Sequence, residues 1–113
     1  MLHEMKLHNA PFHGIKSGKK TVEMRLNDEK RSKIRADDLI EFSNADTGEK
    51  LLCRVLNTYL YPSFEELYRH HDKISIGYKE GENADPKDML AYYSQEKIDR
   101  YGVVAIAIKV ENR

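Results

Sequence analysis

The sequence has no tryptophan, a single cysteine (Cys53) and no excess of either charge, with 19 Lys and Arg against 19 Asp and Glu. One cysteine excludes an internal disulfide and a cysteine-built zinc site, and a reducing cytoplasm is the expected compartment. No apolar run approaches the ~20 residues that cross a bilayer, so no membrane span is expected. The opening MLHEMKLHNAPF lacks a basic start followed by an apolar stretch, which is not the pattern of a secretory leader. Zero net charge argues against coating nucleic acid by bulk electrostatics. The chain also lacks repeats, low-complexity tracts, linkers, a G-x-S-x-G elbow, a Walker-type loop and an H-E-x-x-H pair.

What is present suits one folded domain over residues 1–113. The chain is 40% hydrophobic and 34% charged, a balance typical of a modest core under a charged surface. The charge is unevenly placed. Residues 1–35 hold nine cationic side chains (Lys6, Lys16, Lys19, Lys20, Arg25, Lys30, Arg31, Lys33 and Arg35) against four acidic ones. Residues 36–113 carry the compensating acidic surplus. Such asymmetry either becomes a basic face or is diluted when acidic segments fold against it.

Short elements follow one another. NAPFHGIKSG, residues 9–18, predicts a helix capped by Asn9, with Pro11 in its first turn and a left-handed exit at Gly18. From Thr21 to Leu26 the period changes to two, which predicts a strand with Val22, Met24 and Leu26 on an apolar face. Thr21, Glu23 and Arg25 occupy its polar, solvated side. Further strands are expected over 38–42, from Leu51 to about Tyr61, and over 102–110, with a turn at 44–48 between the first two. The last, with bulky residues on one face and small ones on the other, reads as a strand buried on both sides. Helices are expected after Ser63, where Ser63 and Glu66 have capping-box spacing, and after Asp85-Pro86, with one more turn over 94–100. Gly77 and Gly81 lie in a charged loop. The order fits either a small mixed barrel or another α+β sheet.

The chemistry concentrates in Gly18-Lys19-Lys20-Thr21-Val22-Glu23-Met24-Arg25. A glycine turn delivers two lysines to the mouth of a strand, and the strand projects Thr21, Glu23 and Arg25 to one side. Glu23 and Arg25 are close enough to pair, and an arginine fork suits a phosphate or a base edge. Other candidates are weaker. His3, His8 and His13 recur every five residues, which matches no single face, and His70-His71-Asp72 reads as a surface loop. No metal or cofactor is expected. Cys53, among apolar neighbours, reads as a small buried hydrophobe and not a nucleophile. Most of the seven tyrosines read as packing residues; Tyr61, ending a strand beside a turn, is the one placed where clefts open.

The run Ile15-x-x-Gly18-x-Lys20-Thr21-x-Glu23-x-Arg25 resembles the signature of the ASCH domain family, a branch of the PUA-like superfamily. The likeness continues through Asp28-Glu29-Lys30-Arg31, Asp38-Leu39-Ile40-Glu41-Phe42, Tyr61-x-Ser63-Phe64-x-Glu66-Leu67 and Tyr101-Gly102-Val103-Val104-Ala105-Ile106. It covers nearly the whole chain and is closest in kind to the small bacterial and archaeal single-domain members. The resemblance implies a PUA-like mixed β-barrel with flanking short helices and a cleft beside the first helix, lined by Lys20, Glu23 and Arg25. Asp37 departs from the glycine common in relatives, but aspartate tolerates a left-handed turn. A branch that resembles acetylcytidine amidohydrolases places a threonine three residues after the lysine. Here that position is Glu23, and the nearby hydroxyl belongs to Thr21.

The favoured reading is a module that binds RNA, a nucleobase or a modified nucleoside through Lys19, Lys20, Thr21, Glu23, Arg25 and Tyr61. In this reading Lys20 and Arg25 meet phosphate or carbonyl groups and Glu23 accepts from an amino group. The alternatives are a hydrolase of an acylated nucleoside or of RNA, with Lys20 and Glu23 as acid and base, and an accessory domain whose acidic remainder docks an unknown protein. A purely structural role for the trio would be an ion-pair network bracing the first helix against the barrel.

Overall fold

The structure, a computed structural model, describes residues 1–111. Five strands among them form one sheet: β1 (Leu2–Leu7), β2 (Val22–Leu26), β3 (Leu39–Asn44), β4 (Lys50–Tyr61) and β5 (Val103–Val110). Helix α1 (Asn9–Lys16) joins β1 to β2; α2 (Phe64–His70) follows β4, and α3 (Gln95–Tyr101) precedes β5. The spatial order is β1-β3-β4-β5-β2, parallel between β1 and β3 and antiparallel elsewhere. The sheet curls into a half-barrel whose two edge strands, β1 and β2, border a seam. A bulge between Val55 and Asn57 bends β4, so that its first half pairs with β3 and its second half extends along β5.

Apolar residues lie on both faces. The inner face gathers Met5, Phe12, Ile15, Ile34, Ile40, Phe42, Val55, Val104, Ile106 and their neighbours. The outer face packs Val22, Met24, Leu26, Val103 and Ala105 against Phe64, Leu67, Ile76, Met89 and Ile98. Strand β5 supplies both clusters from alternate residues, as its doubly apolar pattern requires. It can be apolar on both sides because the helical layer covers Val103 and Ala105 on the outside.

Several elements follow the sequence reading. Ser63 accepts from the Glu66 amide and Asp85 from the Lys87 amide, so both expected caps form. Gly18 exits α1 at φ 87°, and Asp37 holds a left-handed φ of 73°. Others differ. The pattern over residues 1–8 predicts no strand, yet β1 forms with His3, Met5 and Leu7 buried. Its alternation is short and carries a histidine among the inward positions. The cap of α1 is His8, without a side-chain bond; Asn9 instead accepts from Asn44 Nδ2 at 2.9 Å, tying the helix to the end of β3. The segment after Asp85-Pro86 is a 3-10 helix, Pro86–Ala91, and not an α-helix. The polar side of β2 is not solvated: Glu23 is buried and Arg25 half-buried, because that side faces the barrel interior.

Candidate functional site

Gly18 turns the chain out of α1, and the Lys20 amide then donates to the Gly14 carbonyl at 3.0 Å. This docks the start of β2 onto the end of α1. Alternation along β2 sends Val22, Met24 and Leu26 outward and Glu23 and Arg25 inward. Glu23 pairs in register with Ile106, and Arg25 with Val104.

The three charged residues meet there. Glu23 Oε1 lies 2.9 Å from Lys20 Nζ and accepts from the Met24 amide at 3.1 Å. Its Oε2 accepts from Arg25 Nε at 3.0 Å and lies 2.9 Å from Nη2. Glu23 is 4% exposed and Lys20 9%. Burial pushes the Glu23 carboxyl upward, but the attraction of Lys20 and Arg25 and their hydrogen bonds outweigh it, leaving the group below its ordinary value. Glu23 is therefore an ionised carboxylate with both oxygens occupied, and the cluster carries one net positive charge.

Arg25 reaches further. Its Nη2 also donates to the Lys6 carbonyl of β1 at 2.9 Å, crossing the seam between the two edge strands. Lys20 is held from the other side by the segment after α2. The Ser75 carbonyl accepts from the amides of both Thr21 and Val22 at 2.9 Å. Gly77, at φ 112°, packs so closely that a Cβ there would lie 3.3 Å from Lys20 Cδ. That segment is fixed in turn by hydroxyls: Tyr78 bonds Tyr68 at 2.9 Å and donates to Asp88 at 2.8 Å.

Lys20 and Thr21 also border a shallow hollow of about 320 Å³ between the end of α1 and the end of β5, floored by Ile15, Ile108 and Val110. This is a cleft beside the first helix. Glu23 and Arg25 lie deeper, along the seam. Lys19 is exposed on the turn. Tyr61 is not brought to the trio. It packs against the outer cluster, stacks on His70 at 5.4 Å and shares a 3.0 Å hydrogen bond with His71 Nε2.

The sequence carries no mark of three supports of the site, the Lys6 carbonyl, Ser75 and Gly77. Backbone groups and glycines far along the chain leave no chemical signal. Tyr93 stacks on Phe64 at 6.0 Å, and burial raises its hydroxyl, with Arg25 and Glu23 within electrostatic reach. Among the described residues no three His, Cys, Asp or Glu side chains gather as a metal site. Cys53 is fully buried, and burial, followed by the charge of Glu111, pushes its thiol up to about 11. Among the described residues no helix is long and apolar enough to cross a membrane.

A curled five-stranded half-barrel with short flanking helices is the PUA-like architecture of ASCH domains. The ASCH domain of Lactobacillus crispatus has the same fold at 13% identity, with a TM-score of 0.60 over 96% of this chain and 79% of that one. The ASCH domain family model matches residues 5–111, and the chain belongs to that family. It is also similar to hypothetical protein PH0355, at 33% identity and a TM-score of 0.86 over 98% of this chain and all of that one. Protein PF0455 from Pyrococcus furiosus is 34% identical, with a TM-score of 0.77 and full coverage of both chains. No curated protein matches the sequence.

Proposed function

We propose that the protein binds RNA or a modified nucleoside at the mouth formed by α1 and the start of β2. The observation that carries this reading is the buried cluster in which two cations share one carboxylate. A surplus positive charge held in a recess favours an anionic or strongly polar group over water. Lys20 and Thr21 at the rim of the adjacent hollow place donors beside an apolar floor, a combination suited to a base with an attached phosphate or carbonyl. Lys19, on the exposed turn, lies where a phosphate would approach. Tyr61 belongs to a separate aromatic surface and contributes only to a ligand long enough to reach the other face.

Glu23 acts in this reading by orienting Lys20 and Arg25, since both its oxygens are already engaged. The same saturation disfavours hydrolysis. A carboxylate held below its ordinary pKa is a weak general base.

The test is an amide-resolved NMR titration with cytidine, an N-acylated cytidine and short single-stranded RNAs. Binding shifts the amides of Lys19 through Arg25 and of Ser75 to Gly77, which pack on them. Deacylated or cleaved product in the same tube converts the reading to a hydrolase. If no ligand moves those amides, the cluster is a structural brace and the proposal fails.

A further inference from the structure

Part of the cationic surplus of residues 1–35, namely Lys20, Arg25, Lys30 and Lys33, lies along the seam between β1 and β2. At one end Lys20 sits beside Gly14 and Glu23. Midway, Arg25 spans the seam to the Lys6 carbonyl, and among the described residues its Nη1 has no partner. From Arg25 the seam runs back along β1 toward the start of the chain, and the turn after β2 ends beside Met1 and His3. There a second hollow, of about 330 Å³, is lined by Met1, His3, Glu29, Lys30 and Lys33.

Among the described residues the two lysines of this second hollow are free of ion pairs, whereas its Met1 ammonium and His3 are tied to Asp38. Asp38, the acid bound to His3, is fully engaged. It accepts from His3 Nε2 at 2.8 Å, from the Arg35 amide at 3.0 Å and from the Met1 ammonium at 3.3 Å. Asp28 is bound to Arg31 at 3.0 Å. Among the described residues Lys30 and Lys33 have no ion-pair partner, and both are exposed. Glu29 is the remaining acid at the rim. One of its lining side chains, His3, is packed and only 8% exposed. His3 and Lys6 are three residues apart on β1, or roughly 10 Å.

Resting on the nucleic-acid reading above, we propose that the β1–β2 seam is the track of a single RNA strand, with the Lys30–Lys33 hollow as a phosphate subsite. One phosphate lies at Lys20 and Arg25, and a following one is held by Lys30 and Lys33 one or two nucleotides along. The ligand class is then an oligonucleotide of at least two or three residues, and a lone nucleoside occupies only half of the track. Because lysines there meet phosphate and not base edges, the second subsite adds affinity without sequence preference.

The test compares the native chain, Lys30→Gln/Lys33→Gln, and a control with the same charge change on the outer layer, Lys87→Gln/Lys97→Gln. Each is titrated with a nucleoside, a single-stranded trinucleotide and inorganic phosphate at several salt concentrations, and folding is checked by the amide spectrum. The Lys30/Lys33 variant should bind the trinucleotide more weakly. Its slope of log K against log salt should fall by ~0.7 for each phosphate it no longer neutralises, while nucleoside binding and the control stay unchanged. Equal weakening in the control, or unchanged affinity in the variant while Thr21–Arg25 still respond, overturns the track and leaves the primary site standing. Inorganic phosphate that shifts Lys30 and Lys33 without being displaced by RNA makes the hollow an independent anion site, which also overturns the track. No response at Thr21–Arg25 to any ligand removes the primary reading itself.

Discussion

Arg25 donates to the Lys6 carbonyl at 2.9 Å while clasping Glu23, so one guanidinium joins the two edge strands of the half-barrel that no backbone ladder connects. The same side chain stabilises the fold and presents charge to the seam.

Arg25→Ala should therefore be costly. It leaves Glu23 buried with half its partners and unties the seam. Removing one member of a buried ion pair costs about 3–5 kcal/mol, and urea unfolding should show a decrease near the lower figure because Lys20 remains. Arg25→Lys should recover only part of it, since an ammonium on one stem has no planar fork for the carboxylate and the carbonyl together.

Stability should fall in acid, and the sign follows from two carboxylates. Glu23 is held below its ordinary value, and Asp38 is lowered to about 2, chiefly by its hydrogen bond to His3 and then by the Arg35 amide. Groups with depressed folded values stabilise the protein above the unfolded carboxylate pKa of about 4 and lose that contribution as pH drops toward the folded one. Unfolding free energy measured from pH 6 to 2 should decline below about pH 4. Asp38→Asn should flatten the lower part of the curve.

Gly77→Ala tests the support behind Lys20. The residue sits at φ 112°, where an L side chain is strained, and its new Cβ would press on Lys20 Cδ. A cost of about 1–3 kcal/mol is expected in thermal or urea unfolding. Ligand-induced shifts at Lys20 and Thr21 should weaken in the same variant, which a purely local strain would not cause.

Tyr78→Phe removes the hydroxyl that links Tyr68, Asp88 and the Asp85 carbonyl. The expected destabilisation is about 1–2 kcal/mol. Hydrogen exchange should show faster opening of the Ser75–Gly77 amides, with the β3–β4 ladder unchanged.

Much of the fold is legible in the residues themselves. Period-two alternation marks β2 and the doubly apolar β5, and the spacing of Ser63 to Glu66 marks a helix start that forms as expected. The G-x-K-x-x-E-x-R run places three complementary charges within one turn and one strand, so their meeting is a local matter. Local geometry, side-chain period and capping chemistry are set by neighbours in the chain.

The remainder depends on groups distant in sequence. Whether the polar side of β2 meets water or the interior is set by the curl of the sheet and by helix α1 closing over it. The pairing of β1 with β3 makes a strand of a segment whose own pattern is slight. The supports of the site, the carbonyls of Lys6 and Ser75 and the bare backbone of Gly77, have no side-chain chemistry to read. The placing of Lys20, Arg25, Lys30 and Lys33 along one seam requires β1 and β2 to become the two edges of the same sheet, and chain order alone does not determine which strands those are.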